Sequence, residues 1–136
     1  MRELKFKVWD KKEEVMYGHD KDSTIILHLD GLVNHYDNNY VLQGVDDSER
    51  LVIMQYTGLK DCNDVEIYEG DILEYKFYNP LRKEEESIKY EVIYEYGEFR
   101  VIVDDGRNKS RKPLYMELNS SVIGNVYESP ELLEGV

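Results

Sequence analysis

Five carboxylates crowd one run of the chain, QYTGLKDCNDVEIYEGDIL, residues 55–73: Asp61, Asp64, Glu66, Glu69 and Asp71, with Asn63 among them. Oxygen ligands at that density suit a hard cation, and paired carboxylates suit general acid–base hydrolysis. The spacing does not fit a calcium loop. Asp61 and Asn63 fill its first two ligand slots, but Val65 and Glu66 stand where the third acid and the turn glycine belong. Glu69 and Asp71 flank Gly70, and strand alternation puts both on one face. A metal-dependent hydrolase or nuclease built on the carboxylates of residues 61–71 is therefore one reading. The other is a turn whose acids satisfy its own backbone, because Asp and Asn side chains accept hydrogen bonds from N–H groups two residues on. Among 29 acidic residues such neighbours arise by chance. The turn reading is preferred, and no metal, cofactor or catalytic residue is assigned.

Other chemistry-bearing side chains are sparse. His19, His28 and His35 show neither HxH nor HExxH spacing. His28 and His35 are expected near each other across a hairpin, without a third ligand. Cys62 is the single cysteine, so an internal disulfide and a cysteine zinc site are both excluded. No histidine adjoins Cys62 in sequence, so a nucleophilic dyad is unsupported. GxGxxG, Walker A and GxSxG signatures do not occur. One basic cluster, Arg107, Lys109, Arg111 and Lys112, falls in a predicted loop. It is a candidate interaction loop, with weak nucleic-acid binding as a second alternative function.

What positions these groups is a set of short strands. LKFKVW puts Leu4, Phe6 and Val8 on one face and Lys5 and Lys7 on the other. DKKEE reads as a turn into a strand at residues 15–17. Asp30-Gly31 between two apolar runs predicts a type I′ hairpin. YDNNYVLQGVDDSE reads as a loop and RLVIMQY as a buried strand. In the second half DILEYKFY, SIKYEVIYE and EFRVIVD alternate cleanly, and Gly97 joins the last two. DDGRNKSRK reads as a polar loop, with PLYMEL and SVIGNVY as two further strands. In SPELLEG, Ser129 is expected to N-cap and Pro130 to open one helical turn. The predicted fold is mainly β: an N-terminal β-hairpin region at residues 1–56, a connecting turn at 57–70, and an SH3-like small β-barrel at 71–136 that ends in a short helical turn. Two lobes sharing one core are the alternative division.

Composition narrows the function classes. The chain has 136 residues and a formal net charge of −12, which disfavours ordinary nucleic-acid binding and anionic membranes and favours a partner with a basic face. Tyrosine is abundant, with 12 residues against one Trp and three Phe. Such rings suit half-buried strands and recognition surfaces. MRELKFKVWDKKEE has no apolar h-region, and no stretch approaches the ~18 apolar residues of a membrane helix. With one cysteine, these features give a cytoplasmic expectation.

Three ordered blocks, FKVWDKKEEVM, QYTGLKDCNDVEIYEGDIL and VIGNVYESPELL, resemble the YopX family of phage and prophage proteins. The segments between them, residues 17–53 and 74–121, read as variable spacers. The resemblance implies a small, mainly β protein with an SH3-type barrel portion in the bacterial host cytoplasm. It implies no activity and supplies no catalytic residue to carry over. Cys62 stands where a polar residue is the usual expectation, which argues against an essential thiol. The block residues have a structural reading of their own. Gly58, Gly70 and Gly124 mark strand ends or bends, Tyr56 and Tyr68 stack across the turn, Asp61, Asn63, Asp64 and Asp71 belong to the turn motif, and Asn125 bonds local backbone.

Together these features favour a non-enzymatic phage accessory protein. It would bind an unknown host or phage protein through an acidic, tyrosine-rich surface, with DNA mimicry towards a basic protein as a narrower form. Self-association is a further expectation, since open sheet edges invite pairing.

Overall fold

The computed structural model describes residues 3–18, 25–36, 39, 41–44, 49–104 and 107–134. It is mainly β, as expected. His19 lies outside the described residues. Among those described, no helix is long and apolar enough to cross a membrane. Contacts divide the chain into two compact units, Lys5–Met54 on the one hand and Met1–Leu4 with Gln55–Val136 on the other.

The first unit holds β1 (Phe6–Asp10), β2 (Val15–Tyr17), β3 (Ile25–Leu27), β4 (Val33–Tyr36), β5 (Leu42–Gly44) and the start of β6 (Leu51–Lys60). β1 pairs antiparallel with β2, and β4 sits between β3 and β5. Period-2 alternation buries Val8 and Asp10 on one face of β1. Val8, Val33 and Leu51 form the core, with Tyr17, Ile25 and Ile53 packed against them. An inward Asp beside that core must be satisfied, and Asp10 is. Its side chain is fully buried and accepts two bonds from Arg50, Nε at 2.9 Å and Nη2 at 2.8 Å. The backbone N–H groups of Lys12 and Glu13 donate to the same carboxylate at 2.9 and 3.2 Å. Asp10 thus shapes the turn after β1 and clamps it to the residue before β6.

Two expectations for this unit are corrected. The Asp30-Gly31 hairpin is not type I′. Only Gly31 has positive φ, at 90°, the Gly31 N–H donates to the His28 carbonyl, and the His28 N–H donates to the Leu32 carbonyl. That is a three-residue loop, a type I turn closed by a left-handed glycine. The segment expected as a loop at residues 36–49 contains β5, which pairs with β4.

The second unit holds the rest of β6, β7 (Glu66–Tyr68), β8 (Asp71–Asn79), β9 (Glu84–Glu95), β10 (Glu98–Asp104), β11 (Lys109–Pro113) and β12 (Ser121–Asn125). Two 3-10 turns complete it, at Leu114–Glu117 and Pro130–Leu133. Residues 57–70, expected as the connection between the halves, comprise the end of β6, a turn and β7. The five-stranded sheet has the order β11-β10-β9-β8-β12, and β12 returns to pair with β8. This order, with a 3-10 turn ahead of the returning strand, does not conflict with the SH3-like barrel expected. Its core is Ile67, Leu73, Tyr90, Val92, Val101 and Leu114.

Here too the structure corrects the sequence reading. PLYMEL is not a strand: Leu114–Glu117 is a 3-10 turn with Leu114 and Glu117 buried, a spacing of three that matches that helix. Half of the predicted polar loop is instead β11, paired with β10 from Arg100↔Pro113 to Asp104↔Lys109. Ser129 makes no side-chain cap on the last 3-10 turn.

The type I′ geometry appears in the β9–β10 hairpin, where Tyr96 and Gly97 have φ of 51° and 78° between the Glu95↔Glu98 pair. A bulky residue at positive φ is strained. Tyr96→Asn is expected to stabilise the protein by about 1 kcal/mol, read as a raised urea midpoint. An unchanged midpoint would mean that the Tyr96 ring, 5.6 Å from the Arg100 guanidinium carbon, offsets the strain.

Candidate functional site

The acidic run first. Asp61 is buried, and both of its carboxylate oxygens are in use. Oδ1 accepts from the Asn63 and Val65 N–H groups at 2.8 and 2.9 Å, and Oδ2 accepts from the Val122 N–H at 2.8 Å. The Cys62 N–H donates to the Ser120 carbonyl at 3.1 Å, so the turn is fastened to the start of β12 at two points. Burial pushes the Asp61 carboxyl up, but its three N–H partners outweigh that and hold it below the usual range. Asn63 and Asp64 are exposed, and Asp64 has φ of 66°. Cys62 is exposed at the same turn.

The carboxylates flanking Gly70 serve different backbone amides. Buried Asp71 accepts from the Tyr68 N–H through Oδ2 at 2.8 Å. Glu69 accepts from the Gln55 N–H through Oε1 at 3.1 Å, and burial raises its pKa. Burial, followed by the charges of Glu69 and Glu91, raises the Tyr127 pKa as well. Gly70 has φ of 82°, and a Cβ there would lie 2.9 Å from a Tyr127 ring carbon, so both the backbone conformation and the space require glycine. Tyr56 pairs with Tyr68 across β6 and β7, and their ring centroids are 5.6 Å apart. Gly58 lies in β6 beside the register shift with β7. Gly124 lies in β12 under Leu132 and Ser129. The Asn125 Oδ1 accepts from the Tyr127 and Glu128 N–H groups at 3.0 and 2.8 Å.

Among the described residues no three His, Cys, Asp or Glu side chains come together as metal ligands. His35 is buried opposite Ile25, with its ring 6.1 Å from that of Tyr17. His28 sits at the hairpin loop, so the register does not bring the two histidines together. The basic cluster is not a free loop. Arg111 Nε meets Glu95 at 3.0 Å, and Lys112 Nζ meets Glu117 at 2.5 Å. Lys112 also lies 5.4 Å from the Tyr90 ring centroid. Tyr90 is buried and hydrogen-bonded to Glu117, and burial and that carboxylate push its pKa up to about 12. Lys109, Arg111 and Pro113 belong to β11, at one edge of its sheet. Lysine and proline there blunt edge-to-edge pairing.

One concave feature of this unit lies elsewhere. A groove of about 380 Å3 is lined by Gln55, Thr57 and Leu59 of β6, Tyr94 of β9, Gly97, Glu98 and Phe99 of the β9–β10 hairpin, and Leu114 and Tyr115. Leu114 is buried, whereas Tyr94 and Tyr115 are 55% and 66% exposed. Tyr94 packs edge-on against Phe99 at 5.0 Å, which fixes its ring. Exposed Tyr96 and Met116 adjoin the groove in sequence. Sequence reasoning missed this site because its walls come from three distant segments. The available signal was tyrosine abundance, which marks no position.

A family model described as YopX protein matches residues 5–134. The chain belongs to the YopX family. Two solved structures resemble this YopX-family chain, each with a TM-score of 0.62 and each matched over 98% of this chain and 100% of its own. Protein EF1440 from Enterococcus faecalis is 28% identical, and protein YopX from Bacillus subtilis is 25% identical. No curated protein matches. Family membership agrees with the three sequence blocks, whose residues supply both the Asp61 turn and the β12 backbone that it holds.

Proposed function

We propose that this YopX-family chain is a non-enzymatic protein-binding module, a phage or prophage accessory protein of the bacterial cytoplasm, whose partner docks at the tyrosine-rimmed groove. The observation that carries the reading is the pairing of exposed Tyr94 and Tyr115 with a groove of about 380 Å3. Tyrosines anchor interfaces because they bury a large ring at small entropic cost and keep a polar tip. Of the carboxylates that suggested catalysis, Asp61, Glu69 and Asp71 are occupied by backbone N–H groups, which supports a structural role for them. Arg111 and Lys112 are engaged by Glu95 and Glu117, so neither is spare for phosphate. The phage setting and cytoplasmic location draw support from the family blocks. The net charge of −12 favours a partner with a basic face.

The test is a salt-titrated pull-down from host lysate with the full chain as bait. Wild type and Tyr78→Ser, altered at an exposed ring on β8 outside the groove, are expected to retain the same protein. Tyr94→Ser combined with Tyr115→Ser is expected to lose it by about 30-fold, as for a hot spot of about 2 kcal/mol. Equal retention by the double variant overturns the groove as the docking site.

A further inference from the structure

We infer that two copies of this chain pair through β9, antiparallel and centred on Ser87, so that Glu85 of each copy meets the partner's Lys89. The contact grows from an arm of the second unit. β12 follows β8 only as far as Glu74↔Ser121, and β10 follows β9 only as far as Tyr90↔Val103. β8 and β9 run on together past both, from Tyr75↔Ile88 to Asn79↔Glu84, as about 17 Å of two-stranded ribbon. Tyr75 and Phe77 stack on one face of it, with centroids 5.9 Å apart. A ribbon of two strands is marginal in water and gains from further strands. Among the described residues neither edge of the arm is paired.

Charge distinguishes the two edges. On β8 the arm holds a single charge, Lys76, already 3.7 Å from Glu74, so a second copy of that edge brings no opposite charge to it. On β9, Glu85, Ser87 and Lys89 alternate onto one face. Glu85 and Ser87 are exposed and Lys89 is half-buried. Among the described residues Glu85 and Lys89 have no ion-pair or hydrogen-bond partner. Symmetry then fixes the register. Two identical edges join antiparallel about a two-fold axis normal to the sheet, which sets like faces side by side, so a residue on one face opposes a residue of that same face. With the axis at Ser87, Glu85 opposes the partner's Lys89 twice over, and Glu86 opposes the partner's Ile88. With the axis at Glu85, Glu86 or Lys89, a charge opposes its own copy. With the axis at Ile88, no opposite charges meet. Opposite charges across a strand pair stabilise it and like charges destabilise it, so the Ser87 register is selected. The contact shares no residue with the tyrosine-rimmed groove, and one dimer carries two grooves.

Sedimentation equilibrium of the full chain, from about 1 µM to about 1 mM, is the test. Wild type is expected to pass from monomer to dimer with a Kd below about 100 µM. Glu85→Lys and Lys89→Glu are each expected to weaken the dimer at least about tenfold, because both ion pairs become like-charge pairs. Glu85→Lys also moves the net charge towards zero, so on overall charge alone it would dimerise more tightly. Mixing the two variants restores opposite charges at both contacts, and so does placing both substitutions in one chain. Each is expected to return the Kd to within about threefold of wild type. A wild type that stays monomeric at about 1 mM, a dimer that both single substitutions leave intact, or a mixture no tighter than its components overturns the inference.

Discussion

Asp10→Ala is expected to destabilise the Lys5–Met54 unit by about 3 kcal/mol, the low end for breaking one partner of a buried ion pair. The low end applies because the Arg50 side chain keeps 23% exposure and can rehydrate in part. The loss has several parts. Arg50 loses both of its bonds to the carboxylate, and the Lys12 and Glu13 N–H groups lose their acceptor in the turn. Asp10→Asn keeps an acceptor for the turn but not the charge, so an intermediate loss is expected. The sole tryptophan, Trp9, is the neighbour of Asp10 on β1, and its fluorescence through a urea titration reads this unit directly. A midpoint within error of wild type for Asp10→Ala would refute the clamp.

The same carboxylate sets an acid limit. Its pKa is held down at about 2, from 3.8, first by the Arg50 hydrogen bond, with burial acting in the opposite direction. A carboxyl whose folded pKa is lowered contributes stability that is fully present above its unfolded pKa. That contribution, roughly 2 kcal/mol for this shift, is lost as the pH falls from about 4 through about 2. In Asp10→Asn the acid side of the Trp9 transition should flatten over that interval.

Asp61→Ala should cost about 3 kcal/mol, close to one for each of the three N–H groups left without an acceptor. Asp61→Asn should fall near the alanine variant. The amide oxygen can still serve Asn63 and Val65, but its NH2 group then faces the Val122 N–H, donor against donor. Hydrogen exchange locates the effect. Val101, in the core, should lose about 150-fold of protection, the global change of about 3 kcal/mol alone, while the Val65 and Val122 amides should lose more, through local opening. Full protection at Val122 in Asp61→Ala would show that the bond to Asp61 is dispensable.

Why some of this was legible in the sequence and some was not follows from particular residues. Leu73, Tyr90, Val92 and Val101 each adjoin a charged residue and became buried positions of β8, β9 and β10, because one-sided burial writes an alternating pattern into a strand. β11 writes no such signal, since it is an exposed edge and its Lys109, Ser110 and Arg111 meet solvent. The 3-10 turn left a faint mark, Leu114 and Glu117 three apart, which the strand-like PLYMEL masked. The partners of Asp10 and Asp61 were invisible because Arg50 lies 40 residues away and Val122 lies 61 away. No local pattern encodes such distances. The groove was hidden for the same reason.

The span between Asp61 and Val122 has a consequence for the order of events during synthesis. The turn that Asp61 organises is made early, yet the amide that completes its carboxylate follows 61 residues later. At translation rates of about 5–20 residues per second, the nascent chain carries that turn for roughly 3–12 s before β12 exists to receive it. Over that interval β8 to β11 can zip together as successive hairpins, while the β8 edge awaiting β12 stays open to other chains. The hazard for this protein on the ribosome is therefore an unclosed sheet, and the step that ends it is the arrival of Val122.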